Sequence, residues 1–292
     1  MSDRLLVHLH ALVGERHPVT SPAALQQAAC YLAEEFKTIG LDVSFHVFDA
    51  LGRTYRNVIA TILPSQSSSI LPRPPLIVAA HYDTVQGSPG ADDNASGLAV
   101  MLEVARCLRD IPLNGPVRFI AFCLEEEDLL GSLAYVSRLK ATEQEICGAI
   151  VLECVGFTCI EEGSQFAPPG LPITIPTTGN FLGIVGNRAS VDLAAVIEQA
   201  TNQRVPDLKT VSFLVPGQGE SFPDTRRSDH ASFWQHGYPA VMLTDTANFR
   251  NPHYHQPTDT LNTLDLAFTD QVARAVAEAV RHLAGTDAGE AQ

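Results

Sequence analysis

The feature of this sequence that most constrains its fold is a series of short apolar runs that alternate with helix-like segments. The runs cover residues 43–48, 57–63, 76–80, 117–124, 149–152, 181–185 and 240–243. Several are continuous, whereas a strand that faces solvent on one side alternates polar and apolar residues. Continuous runs are typical of strands that are buried on both faces. The pattern therefore predicts a central sheet with helices packed on both sides.

Helix-like segments lie between these runs. Residues 21–39 form the clearest one, with Ser21 as the expected N-terminal cap and Gly40 as the expected end. Its predicted buried face consists of Leu25, Ala28, Leu32, Phe36 and Ile39. Further helices are predicted at about 95–109, 130–140, 189–200 and 264–283. Because strands and helices alternate and no linker-like segment divides the chain, we expect one three-layer α/β/α domain over residues 1–284.

Composition excludes several other classes of protein. Hydrophobic residues make up 45% of the chain, so it can bury a core. No apolar run reaches the roughly 18 residues of a membrane span, and the first residues do not resemble a secretory signal. A net charge of −14 argues against nucleic acid as a partner. We therefore expect a cytoplasmic protein that contacts neither membrane nor nucleic acid, and the sequence leaves its oligomeric state open.

The six cysteines and two polar segments complete this outline. No two cysteines have CxxC spacing, so a thiolate zinc site has no support. Reduced thiols are expected, with a disulfide between Cys154 and Cys159 as the alternative. Residues 65–69, followed by several prolines, are predicted to form a surface loop, and residues 285–292 a disordered tail.

Acidic and imidazole side chains follow three of the predicted strands. His81 and Asp83 come directly after 76–80, Glu125 and Glu126 after 117–124, and Glu153 after 149–152. Ligands of open α/β sheets bind beyond the carboxyl ends of strands. Carboxylates gathered there would repel one another, so a cation is their natural partner. The sequence therefore predicts a metal site at this edge.

Each of these motifs also has an ordinary structural interpretation. His81 could be a buried histidine that is tied to Asp83. Asp93, which lies in a glycine-bounded turn before a helix, could bridge two metals or could simply cap the helix. The acidic run could be a solvated helix start, an interpretation that suits its last two residues, Glu127 and Asp128.

Two further segments carry candidate residues. His253 and His255, with Asp259 shortly after, lie in a proline-rich loop where they could form a chelating pair or face solvent. The stretch 228–230 (Ser-Asp-His) is a weaker candidate for a network that supports the ligands.

Taken together and in order, these motifs resemble the zinc-dependent exopeptidases of peptidase family M28, which include bacterial leucyl aminopeptidases. The matching stretches are HYDT at 81–84, GADDNASG at 90–97, EEEDLLGS at 125–132, LE at 152–153, RSDHASF at 227–233 and NPHYHQPTDTL at 251–261. The resemblance implies a mixed central sheet of about eight strands. It also implies a peptide substrate and two zinc ions per chain.

The resemblance assigns metal ligands to residues of this chain. The implied ligands are His81, Asp93, Glu126, Glu153 and His255. Asp93 would bridge the two ions, His81 and Glu153 would hold one of them, and Glu126 and His255 would hold the other. Many members of the family have aspartate where this chain has Glu153.

The resemblance also implies catalytic roles for three residues. Glu125 would be the general base that takes a proton from water and delivers it to the leaving amine. Asp83 would orient His81. Tyr254 matches a position that donates to the developing oxyanion in some members.

Three alternatives remain at this point. Glutaminyl cyclases resemble the same pattern but work with a single zinc. Amidohydrolases of the M20 type share the His-x-Asp strand end, but 157–227 is too short for the additional domain that they carry. A non-catalytic binding module on this fold is the third. The side-chain preference of the substrate would depend on residues of 157–227 and on the loop around Phe249.

Overall fold

An eight-stranded sheet forms the centre of the computed structural model, which describes residues 2–65, 73–168, 170 and 172–285. In the order in which they pair, the strands are β1 (Asp42–Ala50), β2 (Arg53–Ile62), β4 (Val117–Phe122), β3 (Leu76–His81), β5 (Gly148–Glu153), β10 (Ala240–Thr244), β8 (Phe181–Asn187) and β9 (Lys209–Val215). A separate pair consists of β6 (Cys159–Glu162) and β7 (Thr178–Gly179).

The four middle strands share one direction. β4, β3, β5 and β10 pair in parallel, so their carboxyl ends lie at one edge of the sheet. β2 runs antiparallel to β4, and β8 runs antiparallel to β10. β9 pairs in parallel with β8. The sheet is therefore mixed, with a parallel centre and strands of reversed direction on each side.

Helices cover both faces of the sheet. One layer contains α1 (Ser2–Leu12), α2 (Pro22–Ile39), α3 (Gly97–Leu108), α5 (Val191–Arg204) and α7 (Leu266–Ala284). The other contains α4 (Leu130–Ala141) and α6 (His230–Gln235). Successive β3 side chains belong to opposite cores, with Val78 and Ala80 on the first face and Ile77 and Ala79 on the second.

The predicted three-layer α/β architecture with about eight mixed strands is confirmed. All seven apolar runs are strands, and the five predicted helices are present with ends shifted by a few residues. The sequence analysis missed α1, the short pair β6 and β7, β9 and the short α6. β9 is a half-exposed edge strand, and its inward residues Val211, Phe213 and Val215 alternate with others instead of forming a continuous run.

The predicted cap of α2 is wrong in one respect. Ser21 precedes the helix, but its hydroxyl donates to Glu15 instead of accepting from the first turn. The predicted end is correct, because Gly40 has φ +93° and its amide donates to the carbonyls of the last turn.

Other predictions concern the ends of the chain and its thiols. The tail beyond Gly285 and most of the predicted 65–69 loop lie outside the described residues. All six cysteines are unpaired, including Cys154 and Cys159. Among the described residues, no helix is long and apolar enough to cross a bilayer. A cytoplasmic location stays a prediction.

Asp265 provides a test of how α7 is held. Its Oδ1 accepts from the amides of Ala267 and Phe268, and its Oδ2 accepts from the hydroxyl of Thr158. Asp265→Ala should lower the free energy of unfolding by about 0.5–2 kcal/mol, measured by urea denaturation, because an N-terminal cap is lost. Asp265→Asn keeps an oxygen acceptor and should retain most of that stability. Equal stability of the alanine variant and the wild type would contradict this role.

Candidate metal centre

The three predicted strand ends converge at the carboxyl edge of the parallel strands. His81 is the last residue of β3, Glu153 is the last residue of β5, and Glu125 follows β4 by three residues. All three are buried, and His81 is fully inaccessible. His81 Nε2 lies 3.5 Å from Glu153 Oε1 and 3.9 Å from Glu125 Oε2. Residues that are far apart in the sequence thus meet because neighbouring parallel strands end together.

Asp93 lies at the middle of the cluster. Its Oδ1 is 3.0 Å from His81 Nε2, and its Oδ2 is 3.0 Å from His255 Nε2. His255 Nε2 is also 3.2 Å from Glu126 Oε2. Each oxygen of one carboxylate therefore faces a different imidazole, and the five predicted ligands lie in one continuous cluster.

The donor atoms form three compact groups among the described residues. Two of them share Asp93, with His81 and Glu153 in one and with Glu126 and His255 in the other, and the third contains His81, Glu125 and Glu126. Within each group, one donor atom per residue lies within 4.8 Å of the others. Such groups of imidazole nitrogens and carboxylate oxygens match the donor set of catalytic zinc sites.

Buried polar atoms without a hydrogen-bond partner also indicate that the cluster binds a metal ion. The buried atoms His81 Nε2, His255 Nε2, Asp93 Oδ1 and Glu126 Oε1 make no hydrogen bond within the described part of the chain. An unpartnered buried polar group costs about 1–3 kcal/mol, so such groups are rare without a ligand. All four atoms belong to predicted metal ligands, and bound cations would satisfy them.

The charges of the cluster also favour a cation. Burial opposes a raised pKa at both imidazoles, yet Glu153 and Glu125 raise the pKa of His81 well above its usual value. In the same way, Asp93 and Glu126 raise the pKa of His255 to about 10. The carboxylates therefore attract positive charge strongly, and a bound metal ion would displace the protons of the imidazoles.

Glu125 and Glu126 have different surroundings although they are adjacent. Burial, followed by repulsion from Glu153 and Glu126, raises the pKa of Glu125 well above its usual value, although His81 opposes the shift. Burial and Asp93 raise the pKa of Glu126 to about 7. The Glu126 carboxylate contacts His255, whereas Glu125 lies on the His81 side.

Asp83 fixes the backbone of these two glutamates. Its Oδ1 accepts from the amide of Glu125 at 3.0 Å, and its Oδ2 accepts from the amide of Glu126 at 3.1 Å. Asp83 also lies on the Nδ1 side of the His81 ring, but at 3.7 Å, which is longer than a hydrogen bond. Its contacts therefore orient the glutamates more directly than the imidazole.

The loop of residues 251–261 supplies one histidine and one tyrosine. His255 faces Asp93 and Glu126, whereas His253 is turned away, with its Nδ1 2.9 Å from the hydroxyl of Thr258. The Tyr254 ring stacks on the His255 ring with centroids 3.8 Å apart. The Tyr254 hydroxyl accepts a hydrogen bond from Arg227 at 3.2 Å.

Other predicted residues support the ligands. The Ser228 hydroxyl donates to Glu153 Oε2 at 2.7 Å, so part of the weaker 228–230 candidate contacts the site. Asp259 accepts from the amides of Asp92 and Asp93 and thereby holds the turn. The capping interpretation applies to the next residue, since Asn94 Oδ1 accepts from the amide of Gly97 at 3.2 Å.

One acidic residue beside the site was missed by the sequence analysis. Asp245 follows β10 directly, and its carboxylate accepts from the amides of Phe157 and Ala247. Burial raises its pKa to about 6. Because it follows a buried parallel strand as Glu153 does, the same criterion of acids at strand ends could have found it.

The backbone turns sharply beside three site residues. Leu124 before Glu125, Cys154 after Glu153, and His255 itself have φ values of +62°, +50° and +59°. Such values cost a non-glycine residue on the order of 1–3 kcal/mol and cluster at functional sites.

An apolar pocket adjoins the cluster. It lies on the face of β8, β9 and β10, and Glu153 and Tyr254 form the part of its wall nearest the ligands. Its other walls include Phe181, Val185, Phe213, Met242 and Phe249. Gln165, Phe166, Pro168, Ile173 and Ile175 also line it, as do residues 224, 225 and 227, so residues of 157–227 and Phe249 contribute to the pocket as predicted.

Several known proteins resemble this chain in sequence. The uncharacterized protein YfbL of Escherichia coli is 33% identical over 86% of this chain and 78% of its own length. Aminopeptidase YwaD of Bacillus subtilis is 46% identical over 31% of this chain and 19% of its own length. Leucine aminopeptidase 1 of Trichophyton equinum is 27% identical over 78% of this chain. That match spans 58% of the fungal protein.

Solved structures share the fold. The LapA aminopeptidase of Legionella pneumophila has a TM-score of 0.76 at 18% identity, over 98% of this chain and 72% of its own. BSAP, a zinc aminopeptidase from Bacillus subtilis, has a TM-score of 0.75 at 19% identity, over 98% and 95%. The glutaminyl cyclase of Porphyromonas gingivalis has a TM-score of 0.70 at 18% identity, over 97% and 98%.

The family assignment rests on a family model that matches most of the chain. Residues 57–280 match the family model of Peptidase family M28, and this range includes all three donor groups and all the residues that line the pocket. With the fold, the donor groups and the relatives in agreement, the chain belongs to peptidase family M28 and is an enzyme that hydrolyses peptides.

Proposed function

We propose that this chain is a two-zinc aminopeptidase that removes apolar residues from the N-termini of peptides. The observation that carries the proposal is the position of Asp93, whose two carboxylate oxygens each lie 3.0 Å from a different imidazole nitrogen. That arrangement suits a carboxylate that bridges two metal ions. The aminopeptidases among the sequence relatives and the zinc aminopeptidase BSAP among the similar structures support zinc and this reaction.

The ligand assignment follows the two donor groups that share Asp93. His81 and Glu153 would hold one ion, Glu126 and His255 would hold the other, and Asp93 would bridge them. When bound, the two ions would lower the pKa of water towards neutrality and polarise the scissile carbonyl.

Glu125 is proposed as the general base. Its carboxylate lies 3.9 Å from His81 Nε2, whereas the carboxylate of the neighbouring ligand Glu126 contacts His255, and burial raises the pKa of Glu125 well above its usual value. A base with a raised pKa is well matched to accept a proton from water near neutral pH and to return it to the leaving amine. The amide bonds to Asp83 would keep both glutamate backbones fixed during this transfer.

Tyr254 is proposed as the donor to the developing oxyanion. The hydrogen bond from Arg227 occupies an acceptor site of the Tyr254 oxygen and leaves its own proton free to donate. Burial, followed by the charge of Asp93, raises the pKa of Tyr254, so the hydroxyl keeps that proton.

The apolar pocket is proposed to bind the first side chain of the peptide. It adjoins Glu153 and Tyr254, and aromatic and aliphatic groups form much of its wall, including Phe181, Phe213 and Met242. A leucyl or phenylalanyl side chain would bury apolar surface there, whereas a charged one would lose hydration without a matched partner. The surrounding carboxylates would favour the positive charge of a free N-terminal amine.

The single-zinc glutaminyl cyclase remains the alternative within this fold, because a cyclase structure superposes over nearly the whole chain. Two donor groups that share one carboxylate, Asp93, favour the two-metal peptidase.

Metal titration and substrate screening test the proposed function. Elemental analysis of zinc-saturated protein should approach two equivalents per chain, and chelation should abolish hydrolysis. Leucyl and phenylalanyl p-nitroanilides should be cleaved faster than the aspartyl analogue, and N-acetylated substrates should resist cleavage. One tightly held ion, together with cyclisation of N-terminal glutamine, would overturn the proposal in favour of the cyclase.

His255 and His253 provide a matched pair for testing the ligand assignment. His255→Ala should lose one zinc equivalent and most hydrolytic activity, because His255 Nε2 belongs to a donor group. His253→Ala removes a histidine of the same loop that contacts Thr258, and it should keep most metal and activity. The reverse result, measured by metal content and turnover, would show that the loop ligand is misassigned.

Glu125 and Glu126 should separate metal binding from proton transfer. Glu125→Gln should keep two zinc equivalents while turnover falls by about 10²–10⁴-fold or more, since a general base is lost. Glu126→Gln should weaken metal binding first, because a neutral amide is a poorer ligand than a carboxylate. Both substitutions keep the backbone amides that bind Asp83. Near-normal turnover of zinc-loaded Glu125→Gln protein would rule out the assigned base.

A further inference from the structure

A buried arginine, Arg16, contacts the backbone next to two of the proposed metal ligands. The Arg16 side chain is almost fully inaccessible, at 2% exposure. Within the described part of the chain, no carboxylate forms an ion pair with it. Instead, its guanidinium donates hydrogen bonds only to backbone carbonyls. Because burying a charge is costly, such a side chain is retained only where its contacts are needed.

The guanidinium joins three separate segments. Within its own segment it binds the carbonyls of Leu12 and Gly14. From the strand end after β3, it binds the carbonyl of Tyr82 at 2.8 Å. From the turn before α3, it binds the carbonyls of Pro89 and Gly90, both at 3.1 Å.

Two of these segments carry proposed ligands of one metal ion. Tyr82 directly follows His81, and Gly90 precedes Asp93 by three residues. Gly90 has φ +60°, and a Cβ there would lie 2.9 Å from Arg16 Nη2 and 2.4 Å from the Asp93 carbonyl oxygen. The close approach of the guanidinium to the turn thus depends on glycine at this position.

A further contact fixes the backbone of Arg16 in the same place. Its amide donates to the hydroxyl of Thr84 at 2.9 Å, and the neighbouring Gly14 amide donates to the carbonyl of Pro89 at 2.8 Å. The segment that carries Arg16 is therefore attached to both the strand end and the turn, by its main chain as well as by its side chain.

We propose that Arg16 is a positioning residue of the metal centre, which holds His81 and Asp93 at the spacing that one metal ion requires. This inference rests on the proposed two-metal function. Arginine suits the role because its planar fork offers five donors in fixed directions, whereas lysine offers three on a flexible stem. The role is distinct from catalysis, since Arg16 reaches the backbone of the ligands and not the reacting atoms.

The charge of Arg16 and its hydrogen bonds predict opposite effects on metal binding. A buried positive charge repels a nearby metal ion, so its removal alone should tighten zinc binding. Loss of the carbonyl contacts should instead weaken binding, because the two ligands are no longer held together. Lysine keeps the charge and loses part of the fork, so it isolates the second effect.

Arg16→Lys and Arg16→Met should be measured in two single-site backgrounds. In His255→Ala protein, the remaining site contains His81, and Arg16→Lys should weaken its zinc affinity by about 10–100-fold, the usual effect of losing a group that orients a ligand. Arg16→Met also removes the repelling charge, so it should weaken the affinity less than Arg16→Lys does. In His81→Ala protein, the remaining site contains His255, and the loss should be smaller. Competition with a chromophoric zinc chelator measures each affinity.

The control is Leu32→Ala, which removes a buried side chain of α2 in the same helix layer. It should lower the melting temperature while leaving the zinc affinity unchanged, which separates a site-specific effect from general destabilisation. If Arg16→Met does not fold, Arg16→Lys alone decides the question.

Two results would overturn the inference. One is an Arg16→Lys protein whose His81-containing site binds zinc as tightly as the parent or more tightly, and the other is equal weakening of both sites by Arg16→Lys. Failure of the proposed function would differ from both, because protein with Arg16 intact would then bind fewer than two ions or fail to hydrolyse peptides.

Discussion

Mutual repulsion among buried carboxylates is the constraint around which this structure is organised. Three parallel strands end side by side, and the segments that leave them bring Asp93, Glu125, Glu126 and Glu153 to one place. Two imidazoles lie among them and attract protons strongly. The fold therefore places negative charge where its own hydrogen bonds cannot satisfy it, as the unpartnered atoms at the centre also indicate. A cation is the counterpart that this arrangement requires.

Backbone groups hold the carboxylates in place despite that repulsion. Asp83 binds the amides of both glutamates, and Asp259 binds the amides of the turn that carries Asp93. Ser228 holds Glu153 from a third side. Because each supporting group comes from a different part of the chain, the cluster forms only when the sheet and its flanking loops are complete. Folding and preparation of the site are thus closely linked.

Much of this organisation could be predicted from the sequence. Continuous apolar runs gave the buried strands, and the acids directly after them identified the site, since both depend on local residue order. The wrong or missed features depend on tertiary context. The hydroxyl of Ser21 binds Glu15 instead of the helix start, and the partners of Arg16 lie up to 74 residues away in the chain. β9 was not predicted because only alternate residues of this edge strand are buried. Residue order alone does not carry these relationships.

The proposed metal ligands and most of the apolar pocket lie on different parts of the sheet. The five proposed ligands follow or end β3, β4 and β5 or lie in the loop of residues 251–261, whereas most of the pocket wall comes from β8, β9 and β10 and from individual residues such as Phe166, Ile173 and Thr225. Substitutions on the β8 and β9 side can therefore reshape the pocket without displacing a ligand. During evolution, the proposed substrate preference could therefore diverge between relatives while the proposed catalytic residues stay the same.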